Sequence, residues 1–125
     1  MKRNNVFNIV MPAALLLLGM FIVFYVFLVS SDIPVVVTAS NVTTVIVLNL
    51  AYIALHFLYA ARGNSNMISF NLFIIVLFVL LYFFQVKQDL TYNYHELDTA
   101  NSIICLIANL AVLILYAIRL PKASR

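Results

Sequence analysis

Two long apolar segments of this 125-residue chain each carry a row of polar side chains. Asparagines stand eight residues apart in both segments, at Asn41 and Asn49 and again at Asn101 and Asn109. At about 100° per residue, the polar residues of each segment fall on one face of a helix. We call this face the polar stripe, and its members are Asn41, Asn49, Tyr52, His56, Asn101, Cys105, Asn109 and Tyr116.

The two central asparagines, Asn49 and Asn109, need hydrogen-bond partners, because an unpaired amide in hydrocarbon costs several kcal/mol. One hypothesis is that they bond to each other across two helices, as polar residues commonly do between membrane helices. The other is that they line a solvated path or a substrate site. We favour the first hypothesis, since no ionisable group accompanies the pair in sequence.

His56 is a candidate for cofactor chemistry, because an intramembrane histidine can serve as an axial ligand or a proton relay. An axial role would usually require a second ligand, and the other histidine, His95, is expected on the opposite side of the membrane. We therefore predict a neutral His56 hydrogen-bonded within the stripe, and no metal or other cofactor. Cys105 is the single cysteine, so no intrachain disulfide can form.

The most concentrated polar segment is "KQDLTYNYHELDT", residues 87–99. Its spacing does not match a His-Glu-x-x-His zinc motif and supplies no second histidine, so metal binding is not favoured. Loops frequently carry binding residues. We predict an external contact loop with six candidate residues: Asp89, Tyr92, Tyr94, His95, Glu96 and Asp98.

The elements that must position these residues follow from composition. The chain is 66% hydrophobic and 9% charged, whereas soluble domains are roughly 45–50% apolar and about 25% charged. About 20 apolar residues suffice for one membrane-spanning helix. The sequence predicts an all-α integral membrane protein, a four-transmembrane-helix bundle in one membrane domain, 1–125. Its spans are 6–29, 42–61, 68–86 and 99–118, and none contains Asp, Glu, Lys or Arg.

Orientation follows from the positive charges, since Lys and Arg are retained on the cytoplasmic side. Basic residues precede the first span, follow the second and follow the fourth, whereas Lys87 is the one basic residue in the other two connections. We expect a bacterial inner-membrane protein with both termini in the cytoplasm and the lipid bilayer as its surroundings. No basic arm long enough to suggest nucleic-acid binding is present.

The chain also shows weak internal similarity between residues 6–62 and 68–119. Asn49 and Asn109 are each followed by Leu-Ala, and both segments continue to Leu-Tyr-Ala-x-Arg. This pattern predicts two parallel-repeat helical hairpins related by an axis along the membrane normal. The second and fourth spans should then face each other or a cavity, with the first and third spans as an outer wall.

Sequence motifs of catalysis are missing: there is no phosphate-binding loop, no nucleophile with a base and no carboxylate pair within a span. We predict a non-enzymatic protein that binds another membrane component, as an accessory subunit or an immunity or exclusion protein. The alternative is a small oligomeric transporter or channel subunit with a path lined by Asn, His and Tyr. Proton coupling requires an ionisable intramembrane group, and His56 is the only candidate in the spans, so the binding function ranks first, with a membrane-protein partner or a homo-oligomer.

Overall fold

The computed structural model describes residues 2–31, 36–62, 65–92 and 95–123. It is all-helical, as the sequence predicts, with four helices: α1 Lys2–Val29, α2 Ala39–Arg62, α3 Ser65–Tyr92 and α4 Glu96–Ala123. Each helix contains a stretch of 21 to 25 residues that is long and apolar enough to cross a membrane. The chain is therefore a membrane protein by the length and composition of its helices.

The start of α2 is set by a reciprocal cap. The Thr38 hydroxyl accepts a hydrogen bond from the Asn41 backbone N–H at 3.2 Å. In return, Asn41 Oδ1 accepts from the Thr38 backbone N–H at 2.9 Å and from the Thr38 hydroxyl at 2.8 Å. This arrangement is a capping box with Asn in the position usually held by Glu or Gln. The side-chain oxygen of Asn41 is thus used to cap the N-terminus of α2.

The connection between α3 and α4 is much shorter than the dozen residues expected from sequence. Helix α3 continues to Tyr92 and α4 begins at Glu96, so only residues 93–95 lie between them. No glycine or proline interrupts residues 87–92, and Lys and Gln are good helix formers. The polar residues that suggested a loop therefore extend the two helices beyond their apolar centres.

Helix packing brings α2 and α4 into contact, and α3 packs even more extensively on α4. Helix α1 contacts both α2 and α3, and its contact with α2 is the more extensive of the two. The predicted contact between the even-numbered helices is present. Helix α3 is not merely an outer wall, because its contact with α4 is the most extensive in the described part of the chain.

Large apolar side chains cover the outward surface of all four helices. Phe24 is 62% exposed, Phe57 63%, Phe84 64% and Ile107 60%, one on each helix. Soluble monomers rarely expose contiguous apolar patches larger than a few hundred Å². Lipid is the solvent that accommodates such a surface.

Gly19 lets α1 approach α2 and α3 closely. A Cβ atom added at Gly19 would lie 2.9 Å from two ring carbons of Phe78 on α3 and 3.5 Å from a ring carbon of Tyr52 on α2. The Phe78 ring fills the space that a side chain at position 19 would occupy. The absence of a side chain at this position thus lets α1 pack against Phe78 of α3 and Tyr52 of α2.

Candidate functional site

A continuous set of buried polar side chains runs between α2, α3 and α4. Every member is at most 3% exposed. The members on each helix fall on one face, with spacings of 3 or 4 residues in α2, 11 and 7 in α3, and 1 to 7 in α4. We call this set the polar column. Its members are Asn49, Tyr52, His56 and Tyr59 of α2; Asn71, Tyr82 and Asp89 of α3; and Asp98, Asn101, Ser102, Cys105, Asn109 and Tyr116 of α4.

Asn49 and Asn109 do not bond to each other, so the predicted direct pair is wrong. Each amide nitrogen instead donates to the carbonyl four residues earlier in its own helix, Asn49 to Val45 at 2.8 Å and Asn109 to Cys105 at 2.9 Å. Asparagine side chains readily make such local bonds to the backbone. Because these bonds use the amide N–H groups within each helix, the two asparagines have fewer donors for one another.

The contact between α2 and α4 is instead relayed through two neighbouring side chains. The Tyr52 hydroxyl donates to Asn109 Oδ1 at 3.0 Å. The Asn49 amide also donates to Cys105 Sγ at 3.4 Å. The polar stripes of α2 and α4 therefore meet near the middle of the helices, as predicted, but through unlike residues.

Three helices meet at Tyr116, one to two turns further along the column. The Tyr116 hydroxyl lies 2.6 Å from His56 Nδ1 and accepts a hydrogen bond from the Asn71 amide at 3.3 Å. Since Tyr116 Oη already accepts from Asn71, we assign the Tyr116 hydroxyl as the donor to His56 Nδ1. A neutral imidazole then carries its hydrogen on Nε2. His56 is thus hydrogen-bonded within the stripe, as its sequence context predicts.

Aromatic edges pack around this junction. The rings of Tyr52 and His56 are 4.4 Å apart at 81°, and those of His56 and Tyr116 are 5.4 Å apart at 90°. Such edge-to-face pairs contribute about 0.5–1.5 kcal/mol beyond burial. The imidazole is therefore held by two rings as well as by one hydrogen bond.

Several buried polar atoms of the column have no hydrogen-bond partner within the described part of the chain. Buried polar groups in proteins are overwhelmingly paired, so these atoms mark positions where a ligand, water or a partner can bind. They fall in three places: near the middle, at the His56 and Tyr59 end, and beside the α3–α4 connection. The atoms are Asn49 Oδ1, His56 Nε2, Tyr59 Oη, Asp98 Oδ1, Asn101 Oδ1 and Asn101 Nδ2.

Asn49 also lines a groove of about 200 Å³ on the outward surface between α2 and α4. The groove is open to the surroundings, because Leu50 on one bank is 61% exposed and Ile107 on the other is 60% exposed. Among the described residues, Asn49 is the one polar residue that lines it, and its Oδ1 is buried beneath the groove surface. Its other lining residues are Ile46, Leu50, Ile53, Ile104, Ile107 and Ala108.

A second polar group is buried beside the α3–α4 connection. The Ser102 hydroxyl and Asp89 Oδ2 are 2.5 Å apart, and the Gln85 amide donates to Asp89 Oδ1 at 3.3 Å. Asp98 is 2% exposed and lies close enough to Asp89 for their charges to interact. Asn101 follows one turn after Asp98 and is fully buried. We call Asp89, Asp98, Asn101 and Ser102 the end cluster.

The predicted external contact loop is divided by the structure. Asp89 and Asp98 are each 2% exposed and belong to the interior, because the helices extend and turn them inward. Tyr92 and Glu96 are exposed, and the half-buried His95 accepts a hydrogen bond from the Leu97 backbone N–H at 3.2 Å. Tyr94 lies outside the described residues. The contact role of this segment stays a prediction.

Asn41 departs from the stripe, since its polar atoms face the α2 cap and the Tyr25 hydroxyl of α1, to which its amide donates at 3.3 Å. The column also contains four residues that are not among the candidates from sequence: Tyr59, Asn71, Tyr82 and Ser102. A lone Asn inside an apolar span was the available signal for Asn71. Ser102 could have been found from its position four residues after Asp98.

Metal-binding geometry of the usual kind is missing in residues 2–31, 36–62, 65–92 and 95–123, where no three His, Cys, Asp or Glu side chains converge. Cys105 is buried and free. The end cluster differs from such sites because it combines two carboxylates with an amide and a hydroxyl.

Comparison with known proteins provides no relative from which a function could be inferred. The chain matches no protein-family model, no curated protein and no solved structure.

Proposed function

We propose that this chain is a non-enzymatic bacterial inner-membrane protein that binds one membrane-spanning helix of a different protein in the groove between α2 and α4. It would act as an accessory subunit or as an immunity or exclusion protein. The observation that carries the proposal is an apolar groove with Asn49 at its floor, whose Oδ1 has no hydrogen-bond partner and is buried beneath the groove surface.

A helix suits this groove better than lipid does. Lipid chains can cover the apolar banks formed by Leu50 and Ile107, but they cannot donate a hydrogen bond to Asn49 Oδ1. A buried acceptor without a donor costs about 1–3 kcal/mol. A membrane helix carrying Ser, Thr, Asn or Tyr would pack against the apolar banks, and its donor would reach Asn49 Oδ1 when the side chains lining the groove move apart. The small Ala108 leaves room for close approach of the two backbones.

A second copy of this chain fits less well than a different protein. A two-fold dimer places the same patch on both partners, so the donor for Asn49 Oδ1 would have to come from the groove itself. The other lining residues are apolar. Both amide hydrogens of Asn49 are already donated, to the Val45 carbonyl and to Cys105 Sγ. The groove therefore lacks the donor that a symmetric partner would need.

Site-specific photo-crosslinking in native membranes tests the proposal. A benzophenone side chain at Leu50, in the groove, should link to a membrane-spanning segment of a different protein that contains a hydrogen-bond donor. The same probe at Leu17 of α1 is the matched control, because Leu17 is 67% exposed and Leu50 61% exposed. It should not link to that segment. Removal of the donor from the partner should abolish the product at position 50.

Two results would overturn the binding proposal. Products that map only to a second copy of this chain would favour self-association. Identical products at positions 50 and 17 would mean that the groove has no special role.

Transport is the second candidate function, and the length of the polar column favours it. The column extends from Asp98 beside the α3–α4 connection to Tyr59 and Asn71 near the opposite ends of their helices. It includes two buried carboxylates, Asp89 and Asp98, and ionisable residues buried in membrane proteins commonly mark ion pathways. Proteoliposomes with a trapped pH dye or cation dye would test it; flux that is lost in Asn101→Leu would support a path.

Membrane orientation and the internal repeat are further parts of the proposal. The basic residues lie at the ends of α1, α2 and α4 that point to one side, which supports cytoplasmic termini. The offset of 60 residues that relates Asn49 to Asn109 also relates His56 to Tyr116, which supports a hairpin repeat. The two hairpins differ in packing, since α3 and α4 share more surface than α1 and α2.

A further inference from the structure

The end cluster buries two carboxylates that form no ion pair with Lys or Arg in the described part of the chain. Asp89 and Asp98 are each 2% exposed. Lys87, two residues before Asp89, is exposed, and the half-buried His95 interacts electrostatically with Asp98. Two close, buried negative charges repel each other and have lost their hydration.

Asn101 provides an independent sign that something binds in the end cluster. It is 0% exposed, and both its amide oxygen and its amide nitrogen lack a hydrogen-bond partner. Asp98 Oδ1 also has none. An apolar residue could fill the Asn101 position without the desolvation cost of a buried amide. The amide oxygen and the carboxylate oxygen, one helical turn apart, are therefore available to the same ligand.

The donor atoms of the end cluster define the chemical class of that ligand. Asp89, Asp98, Asn101 and Ser102 offer carboxylate, amide and hydroxyl oxygens, with no thiolate and no imidazole among them. Oxygen ligands are preferred by hard cations, and softer metals prefer nitrogen and sulfur. Two carboxylates balance a double positive charge. Asp98, Asn101 and Ser102 lie on one face of α4, and Ser102 contacts Asp89 across the α3–α4 interface.

We propose that the end cluster binds a divalent hard cation of the Ca²⁺ class between α3 and α4. Ca²⁺ tolerates irregular sites of 6–8 oxygen ligands, whereas Mg²⁺ demands a near-ideal octahedron. The four side chains would supply part of the shell and water the rest. The cation would join the helices at their connected ends. This site is separate from the α2–α4 groove, so its test does not depend on the proposed partner helix.

Thermal unfolding of the full chain in detergent tests the cation site. After treatment with a chelator and its removal, CaCl₂ should raise Tm by several degrees in a saturable manner, because a ligand that binds only the folded state stabilises it. MgCl₂ should act more weakly, and NaCl at matched ionic strength should have little effect. Isothermal titration calorimetry should show one Ca²⁺ per chain.

Variants of the end cluster separate cation binding from general charge effects. Asp98→Asn should abolish the Ca²⁺-dependent rise in Tm, whereas the matched control Glu96→Gln, which neutralises an exposed carboxylate two residues away, should keep it. Asn101→Leu removes an unpaired buried amide, so it should unfold at the same or a higher Tm without Ca²⁺ and should lose the response to Ca²⁺. Asn101→Leu therefore tests the cation site even if Asp98→Asn fails to fold.

Three results would overturn the cation proposal. The first is no saturable response of the unmodified chain to Ca²⁺. The second is an equal response in Asn101→Leu and Glu96→Gln. The third is stabilisation by lowered pH alone with no effect of Ca²⁺, which would show that protons neutralise the carboxylates.

Discussion

His56 Nδ1 on α2 and the Tyr116 hydroxyl on α4 lie 2.6 Å apart, and the two residues are 60 positions apart in the chain. The same offset relates Asn49 to Asn109. Equivalent positions of the two similar segments therefore meet as unlike residues, one an imidazole acceptor and the other a phenol donor. Two identical histidines or two identical tyrosines would not make this complementary pair as readily. Asn71 adds a third helix to the junction.

Tyr116→Phe should destabilise the protein by about 1–3 kcal/mol, because it leaves His56 Nδ1 and the Asn71 amide without their shared partner. Equilibrium unfolding in detergent with a denaturant series measures the free energy of unfolding. Tyr59→Phe is the matched control, since the Tyr59 hydroxyl is buried without a hydrogen-bond partner. That control should be neutral or stabilising. Equal losses in the two variants would contradict the role assigned to the Tyr116 hydroxyl.

The relay between Tyr52 and Asn109 predicts an energetic coupling. Asn109→Leu should leave the Tyr52 hydroxyl unpaired, and adding Tyr52→Phe should recover part of the lost stability. We expect a coupling free energy of about 0.5 kcal/mol or more in a double-mutant cycle, the scale of residues in contact. The same cycle with Tyr59→Phe in place of Tyr52→Phe should give a smaller coupling. A coupling near zero for Tyr52 and Asn109 would disprove the relay.

Gly19→Ala should destabilise the packing of α1, because the added Cβ would lie 2.9 Å from the Phe78 ring. Overpacking of this kind typically costs about 1–3 kcal/mol. The contact is with the far end of one side chain, so a smaller side chain should relieve it. We expect Phe78→Leu to restore stability to Gly19→Ala more than it helps the unmodified protein. Thermal unfolding of the four variants in detergent gives the comparison.

Reporter fusions test the membrane orientation. A reporter after Arg125, or one in the connection at residues 63–64, should report a cytoplasmic location, because most positive charge lies on that side. Fusions at Val36 and Tyr94 should report an external location. A cytoplasmic reading at Tyr94 would exclude the four-span topology.

The sequence by itself determined the helices and the direction of their polar faces. Apolar length and the 3.6-residue period are local properties, so four spans and the stripes of α2 and α4 could be predicted without tertiary information. Because amides in hydrocarbon need partners, the sequence also predicted that these stripes face each other or a cavity. The hydrogen-bonded state of His56 was predictable for the same reason.

Only the tertiary structure decided which atoms pair and which polar residues are buried. Asn49 and Asn109 each satisfy a carbonyl of their own helix, and this choice depends on side-chain rotamers and on the rotation of packed helices. Charge in residues 87–99 suggested solvent and therefore a loop. Asp89 is instead withdrawn from solvent, because α3 continues past the apolar centre and α4 presents Ser102 at hydrogen-bond distance. Such a contact between two helices has no local signature in the sequence.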